Sequence, residues 1–302
     1  MAGPRPRLEY LRERPALAGP RVPGGVYCRG CVNRRADYDP NMVPEVLAAI
    51  EARPPHAHLV VLSDFDGTLT SFDVDPSTPR LGEDTRRALE RLAARQDVTV
   101  GLVSGRRVDD LAERTQLPGH VYLAGLHGLE IRHGDHAWRH PDLADSRDIT
   151  DRVAAAIAAA VSGIPGVRLE HKRLSLTVHV RAVEPPRRCD ALRLAREAAQ
   201  PWLESGALKS LDASAAFELL PNIAWNKGDA VRWIVDDVES RERRKTWCIF
   251  FGDDVTDEDA FRAVRDGVTV VVGQRPSRAH LRLKSPADVA AVLSVVSADN
   301  GH

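Results

Sequence analysis

The chain has 302 residues, 28% of them charged, with 42 Lys and Arg against 43 Asp and Glu and a formal charge of -1. That length buries a full core and suits one large domain or two of ordinary size. The balanced charge, with no basic block, removes polyanion binding as the default, so neither nucleic acid nor a membrane surface is expected as a partner; with no ~20-residue apolar span and no signal-peptide core, a soluble, cytoplasmic protein is expected.

Residues 1 to about 40 are rich in Pro, Gly and Arg and read as an extended arm. Within it Cys28 and Cys31 form CRGC, which reads as half a zinc site with His56 and His58 as distant candidates, as a redox pair, or as two reduced thiols. VPEVLAAIEAR (43–53) has helical spacing. From Leu59 buried strands alternate with amphipathic helices: HLVVLSD, then the helix EDTRRALERLAAR, VTVGLVSG, the helix RRVDDLAERT, and the short strand VYLAG. That order predicts a parallel sheet covered by helices.

After about residue 126 the grammar changes. LEIRHGDHAWRH reads as a hairpin about His133-Gly134-Asp135, DITDRVAAAIAAAVSG as a helix, and VRLEHKRLSLTVHVR as two strands; ALRLAREAAQPWLE is a helix, and ALKSLD and AAFELLP are strands. Hairpins with two helices predict an α+β unit with an antiparallel sheet. The first grammar then returns with NKGDAVRWIVDD, TWCIFFGDD, DEDAFRAVRD, GVTVVVG and SPADVAAVLSVV. The simplest organisation is an N-terminal extension (1–55), a parallel α/β core (56–125 and 222–302) and an inserted α+β domain (126–221).

Polar residues stand where the core strands stop: Asp64 after LVVLS, Ser104 after TVGLV and Asp253 after WCIFFG. Ligands of open α/β sheets bind beyond the carboxyl ends of the strands, so the three are expected on one rim. In SDFDGTLT (63–70) Asp64 and Asp66 can point to the same side. Two close carboxylates repel, so one is protonated or a cation sits with them. GDDVTDED (252–259) supplies Asp253, Asp254 and Asp257 from a second strand end, and an all-oxygen set favours Mg²⁺. Gly67-Thr68 allows a sharp turn with N–H groups open to an anion, and Ser104-Gly105 offers a hydroxyl and more N–H groups. Lys227, one of five lysines in an arginine-rich chain, brings a compact charge to the start of a helix.

Taken singly, each of these is common in a structural role: D-x-D as a solvated turn, S-G-R as a loop, a helix-start lysine as surface, GDDVTDED as an acidic helix start. In this order, each at a strand end or helix start, they describe a phosphoryl-transfer site. Asp64 is then the nucleophile, Asp66 the acid and base, and Mg²⁺ with Lys227 spreads the charge. Neither a Walker loop nor a GxGxxG after a strand is present, which disfavours nucleotide binding.

DFDGTLT, SGR (104–106), Lys227 and GDDVTDE resemble, in order, the four motifs of the haloacid dehalogenase superfamily. AGLHGLEI (124–131), LEHKRLSLTVHVR (169–181), FELLP (217–221) and NKGDAV further resemble trehalose-6-phosphate phosphatases, over roughly residues 58 to 295. The resemblance implies a Rossmann-like core with a mobile cap over the sugar phosphate, and an aspartyl-phosphate formed on Asp64. Asp66 would protonate the leaving sugar oxygen and then activate water. Thr68, Ser104, Gly105 and Lys227 would hold the phosphoryl group. Asp64, Asp253 and the Asp66 carbonyl would hold Mg²⁺, with Asp254 a further candidate ligand. His127, Glu130, Glu170, Lys172 and Glu218 would address the sugar hydroxyls, although polar residues at alternate strand positions also face water without binding anything.

Two departures from the family pattern are visible: Ser71-Phe72 where Pro-Ile is usual, and Leu220 where an arginine is common. They leave open another phosphorylated disaccharide or pseudo-disaccharide, such as an aminocyclitol phosphate, as substrate. A non-catalytic sugar-phosphate-binding regulatory subunit is the reading from another class, opposed by the intact Asp64, Asp66, Lys227 and Asp253.

Overall fold

The computed structural model describes residues 42–71, 79–143, 146–171, 174–213 and 216–298. The arm with Cys28 and Cys31, as well as Phe72 and Lys172, lies outside the described residues. In chain order the first elements are α1 (Val43–Glu51), β1 (His58–Ser63), α2 (Glu83–Ala93), β2 (Val98–Val103), α3 (Val108–Thr115), β3 (Tyr122–Gly125), β4 (Glu130–His133) and β5 (His136–Arg139). There follow α4 (Ser146–Val161), β6 (Arg168–His171), β7 (Leu176–His179), α5 (Arg188–Glu204), β8 (Leu208–Ala213) and β9 (Ala216–Pro221). The chain closes with α6 (Lys227–Glu242), β10 (Thr246–Gly252), α7 (Asp257–Ala263), β11 (Gly267–Val272), β12 (Leu281–Leu283) and α8 (Pro286–Ala298).

β1 is buried at all its positions, as a strand covered on both faces must be. Its alternate residues feed two cores. Leu59 and Val61 meet α1, α2, α3 and α8, whereas Val60 and Leu62 meet α6 and α7. The large sheet runs β12-β11-β10-β1-β2-β3-β4-β5, parallel from β12 to β3. From β1 the chain first builds outward through β2 and β3 and later returns to β10 on the other side. The strand order therefore reverses at β1, and the crevice at its carboxyl end is where such a sheet takes a ligand.

Two expectations about domain limits change. The hairpin of β4 and β5 extends the core sheet, pairing antiparallel with β3, so it does not belong to the inserted unit as the 126 boundary had it. The helix of the N-terminal extension, α1, buries Val46 and Ile50 in the core. Its apolar face has nowhere else to go, which makes it a covering helix of the sheet.

The inserted unit is a four-stranded antiparallel sheet, β6-β7-β9-β8, with α4 and α5 against one face. Leu176, Val178, Phe217 and Leu219 pack on those helices. Alternation turns Thr177, Glu218 and Leu220 to the opposite face, and the pairing of Glu170 with Thr177 and of Thr177 with Glu218 aligns Glu170, Thr177 and Glu218 in one row. Leu126, Leu129, Leu143 and Ile223 form a separate small core where the two linkers enter and leave the inserted unit. Lys209 on β8 donates to the carbonyls of Ile223 and Trp225 at 2.7 and 3.2 Å, fastening the second linker. No described helix is long and apolar enough to cross a membrane.

At the far end of the sheet, β4 is tied to α6. His133 stacks on Tyr122 with ring centroids 4.0 Å apart and accepts a bond from Arg241 at 2.7 Å. Tyr122 donates to Asp237 at 2.5 Å. Burial, and then the Arg241 charge, push the His133 imidazole down to about 4. The unfolded imidazole takes up its proton below about 6.5 and the folded one only near about 4, so acid favours the unfolded chain across that window. We expect stability to fall by on the order of 2 kcal/mol on this account between those values, and His133→Phe to flatten that part of a urea-unfolding pH profile.

Candidate active site

The crevice holds the residues that its strand ends deliver. Asp64 follows β1 directly, and its N–H donates to Phe251 O at 2.8 Å, which carries the β1–β10 ladder one residue further. Its side chain is buried, at 7% exposure. Lys227 reaches it from the first position of α6, with Nζ 2.9 Å from Asp64 Oδ1 and 2.8 Å from Asp257 Oδ1. The lysine is fixed there by a capping box: Asn226 accepts from Gly228 and Asp229 N–H, and Asp229 accepts from Asn226 N–H.

Asp257, at the start of α7, is fully buried, and its Oδ2 accepts the N–H groups of Asp253 and Asp254 at 3.0 and 2.9 Å. Thr68 donates to Asp253 Oδ1 at 2.9 Å, linking the loop after β1 to the loop after β10. Gly67 permits that loop at φ 82°, a conformation unfavourable for a side chain. From the loop after β11, Arg275 donates to the carbonyls of Asp253 and Asp254 and to Glu258, each at 2.6 Å.

One carboxyl oxygen from each of Asp64, Asp253 and Asp257 lies within 4.8 Å of the others. Burial first, and then Asp257, push the Asp253 carboxyl up to about 7. Burial likewise raises Asp64, against Lys227 and together with Asp257, Asp253 and Asp66. For Lys227 burial works the other way, and Asp257 and Asp64 overcome it and hold the ammonium well above its ordinary range. With all three carboxylates ionised against one ammonium, two negative charges are left over, the charge of one divalent cation. The donors are all hard oxygens, so the residues present fit Mg²⁺. Asp257 already bonds Lys227 and two backbone N–H groups and serves as a buttress, which leaves Asp64 and Asp253 as the better-placed ligands. Asp254 is not in the cluster; its carboxylate accepts the Val255 N–H at 2.7 Å.

Asp66 faces another partner. Arg106 donates to both of its oxygens, Nε to Oδ2 and Nη2 to Oδ1, each at 2.6 Å. Ser104 is buried on the same rim, where its Oγ accepts the Arg106 N–H at 3.2 Å and its carbonyl accepts the His127 N–H at 2.9 Å. Gly105 does not open α3, which begins at Val108; it sits under the His127 ring, whose Nε2 would lie 2.9 Å from a Cβ added there.

Of the expected sugar-binding residues, His127 and Glu218 meet. His127, held at φ 57° in the core, bonds through Nε2 to Glu218 Oε2 at 3.0 Å, and Ser175 donates to the other Glu218 oxygen at 3.0 Å. Glu170 lies farther along the same face, bonded to His179 at 2.9 Å. Glu130 does not join them. It is buried, and its Oε1 accepts the Val108 N–H at 2.7 Å, capping α3. Lys172 lies outside the described residues. Leu220, where the family commonly has arginine, is buried at 1% exposure on the face shared with Glu218.

Sequence reasoning did not single out Arg106, Arg275 or the buttress role of Asp257. For Arg106 a signal was present: an arginine two positions after Ser104 with an aspartate four further on, Asp110, at helical spacing. For Arg275 there was none, because its partners are backbone carbonyls.

This is a capped α/β fold of the haloacid dehalogenase type, with an acidic cluster at the switch point of its sheet. The trehalose-phosphatase family profile matches residues 62–287. The trehalose-phosphate phosphatase of Mycobacterium marinum is 34% identical over 269 residues, covering 85% of this chain, which spans 66% of that relative's length. The C-terminal domain of Candida albicans trehalose-6-phosphate phosphatase shares the fold with a TM-score of 0.73 at 21% identity, over 85% of this chain and 96% of that one. So does the C-terminal domain of the Candida albicans trehalose synthase regulatory protein, with a TM-score of 0.61 at 12% identity over 84% and 98%. The chain belongs to the trehalose-phosphatase family.

Replacing Lys227 by Met leaves Asp64 and Asp257 buried without their counter-charge. The variant is expected to lose about 3 kcal/mol in urea unfolding, and adding Asp64→Asn to it to recover part of that loss.

Proposed function

We propose that the chain is a Mg²⁺-dependent phosphoric monoester hydrolase that releases trehalose and inorganic phosphate from trehalose 6-phosphate. The observation that carries this is the buried Asp64 carboxylate at the switch point, paired with Lys227 and grouped with Asp253 and Asp257. His127 and Glu218 join the same rim to the polar face of the cap. Uncatalysed hydrolysis of phosphate monoesters is so slow that the site must remove on the order of 20 kcal/mol from the barrier. That demand suits a division of labour among several groups.

Asp64 attacks phosphorus through a carboxylate oxygen while the bond from phosphorus to the sugar oxygen breaks. Asp66, protonated at this stage, gives its proton to the departing oxygen, and trehalose leaves as a neutral alcohol. Water then attacks the phosphorus of the Asp64 acyl phosphate, giving its proton back to Asp66. Inorganic phosphate leaves, and the Asp64 carboxylate is restored. Lys227 favours the ionised form of Asp64 and orients it, and Ser104 with the Thr68 turn offers donors to the phosphoryl oxygens. Mg²⁺, held by Asp64, Asp253 and the Asp66 carbonyl, would supply charge neutralisation to those oxygens. On the cap, Glu170, Lys172 and Glu218, with His127 from the core, recognise sugar hydroxyls, which a substrate lacking them would leave unpaired. Glu130 acts behind them by capping α3. The substrate is small and soluble and the protein cytoplasmic, with neither nucleic acid nor a membrane as partner.

Leu220 favours a second substrate reading. A buried leucine beside Glu218 cannot offer the donors of an arginine, so a related phosphorylated disaccharide or an aminocyclitol pseudo-disaccharide is the runner-up. The C-terminal domain of the Candida albicans trehalose synthase regulatory protein shares this fold, but a regulatory subunit without turnover would have no chemical need of Asp64, Asp66, Lys227 and Asp253 together.

Phosphate release from trehalose 6-phosphate is expected to be abolished by EDTA, restored by Mg²⁺, and reduced at least 10³-fold in Asp64→Asn. Full activity in that variant would remove the covalent mechanism. In a panel of trehalose, sucrose, glucose and pseudo-disaccharide phosphates, trehalose 6-phosphate is expected to lead in kcat/KM. Equal low rates throughout would reject it, and tight binding without turnover would point to the regulatory reading.

A further inference from the structure

Arg106 is buried, at 6% side-chain exposure, and every part of its guanidinium is occupied. One edge grips both oxygens of Asp66 at 2.6 Å. Nη1 donates to Asp110 Oδ2 at 3.0 Å, and the group lies 5.6 Å from the centroid of the Phe65 ring. Asp110 is itself held by Arg114 Nε at 2.8 and 2.9 Å, and Arg114 Nη1 donates to Pro79 O at 3.0 Å. The Arg106 backbone is fixed at both ends, N–H to Ser104 Oγ at 3.2 Å and carbonyl to Leu126 N–H at 2.8 Å. Thus the guanidinium has its place set by Phe65, Asp110 and the rim loop as well as by Asp66.

Asp66, by contrast, is the more exposed partner, at 27% of its side chain against 6%. A carboxylate on an open rim has two freely turning torsions, and only one orientation presents an oxygen to a leaving group. A two-toothed fork selects a plane as well as a position, which a single bond does not. It engages one lone pair on each oxygen and leaves the others for a substrate.

We propose that Arg106 is a positioning residue for the proton-transfer group: braced by Asp110, it fixes the rotamer and plane of Asp66 so that the leaving oxygen meets a prearranged partner. This rests on the role given to Asp66 under the proposed function. It separates Arg106 from the residues that bind the phosphoryl group, because its effect should depend on the leaving group and not on the phosphate.

The test compares trehalose 6-phosphate, whose alkoxide needs a proton to leave, with p-nitrophenyl phosphate, whose phenolate leaves without one. Rates of leaving-group release are read in the first turnover, so that the later attack of water does not enter. In Arg106→Gln and Arg106→Lys the ratio of the sugar-phosphate rate to the aryl-phosphate rate is expected to fall at least tenfold, seen in the saturating first-turnover rate more than in the substrate concentration that half-saturates it. Lysine should fail almost as glutamine does, because it keeps the charge and loses the fork. Asp110→Asn should move the ratio the same way by a smaller factor, and it serves as the second variant should Arg106 replacements not fold. Asp66→Asn should show the full fall, and adding Arg106→Gln to it should lower the ratio no further. If Asp66→Asn lowers the ratio while the Arg106 and Asp110 variants slow both substrates equally, Arg106 acts on the phosphate or on folding and the inference is overturned. If Asp66→Asn leaves the ratio unchanged, the acid role of Asp66 falls first and the inference with it.

Discussion

The ammonium of Lys227 lies between two buried carboxylates, and the arrangement of the rim follows from that contact. It is charge-assisted on both sides, at 2.9 Å to Asp64 and 2.8 Å to Asp257. Asp257 is free to gather the N–H groups of Asp253 and Asp254 because Lys227 compensates its charge. That in turn fixes the Asp253 carboxylate where Thr68 meets it. Three segments distant in sequence, the ends of β1 and β10 and the start of α6, are thereby joined at one point. A buried charge stripped of its partner is far more costly than an absent pair, so the cluster is held together by the penalty for losing any one member.

Chemistry and selection are divided between the two sheets. The parallel sheet presents carboxylates at its strand ends, backed by cores on both faces that keep them still. The cap sheet gives its helices one face and turns a polar row, Glu170, Thr177 and Glu218, the other way. The two are joined by the bond from His127 to Glu218 and by the linker core of Leu126, Leu129, Leu143 and Ile223. Lys209, which the open face carries in register with Leu220, is committed to the carbonyls of the second linker. The buried leucine at 220 therefore leaves this part of the face without a cation directed at a ligand among the described residues.

Nearly all the regular structure was legible in the chain, because burial on one face imposes a period of two on strands and of 3.6 on helices. The pattern of β4 and β5 specifies a hairpin, whereas its place beside β3 in the core sheet is not written in it. Its alternation shows that one face is buried, and says nothing about which neighbour buries it. The short strand β12 has no signature in the sequence, since three residues carry no period. Glu130 illustrates the same limit at the site: its position in AGLHGLEI suggested a sugar ligand, and its side chain turns inward to cap α3.

What the sequence by itself determined was the set of chemical groups and their order along the chain: Asp64 and Asp66 after one strand, Ser104 after the next, Lys227 at a helix start, Asp253 after a later strand. These are local facts, legible wherever an apolar run stops at a polar residue. What only the tertiary structure decided was which groups face each other. Asp257 rather than Asp254 enters the carboxylate cluster, because the turn closed by the Asp257 N–H on the Asp254 carbonyl carries it back under the loop that it supports. Arg106 closes on Asp66 across 40 residues of chain, and Arg275 on carbonyls that no side-chain pattern can announce. Pairings of this kind depend on the position of a whole element in three dimensions, and a linear pattern holds the spacing of side chains but not the crossing of the elements that carry them.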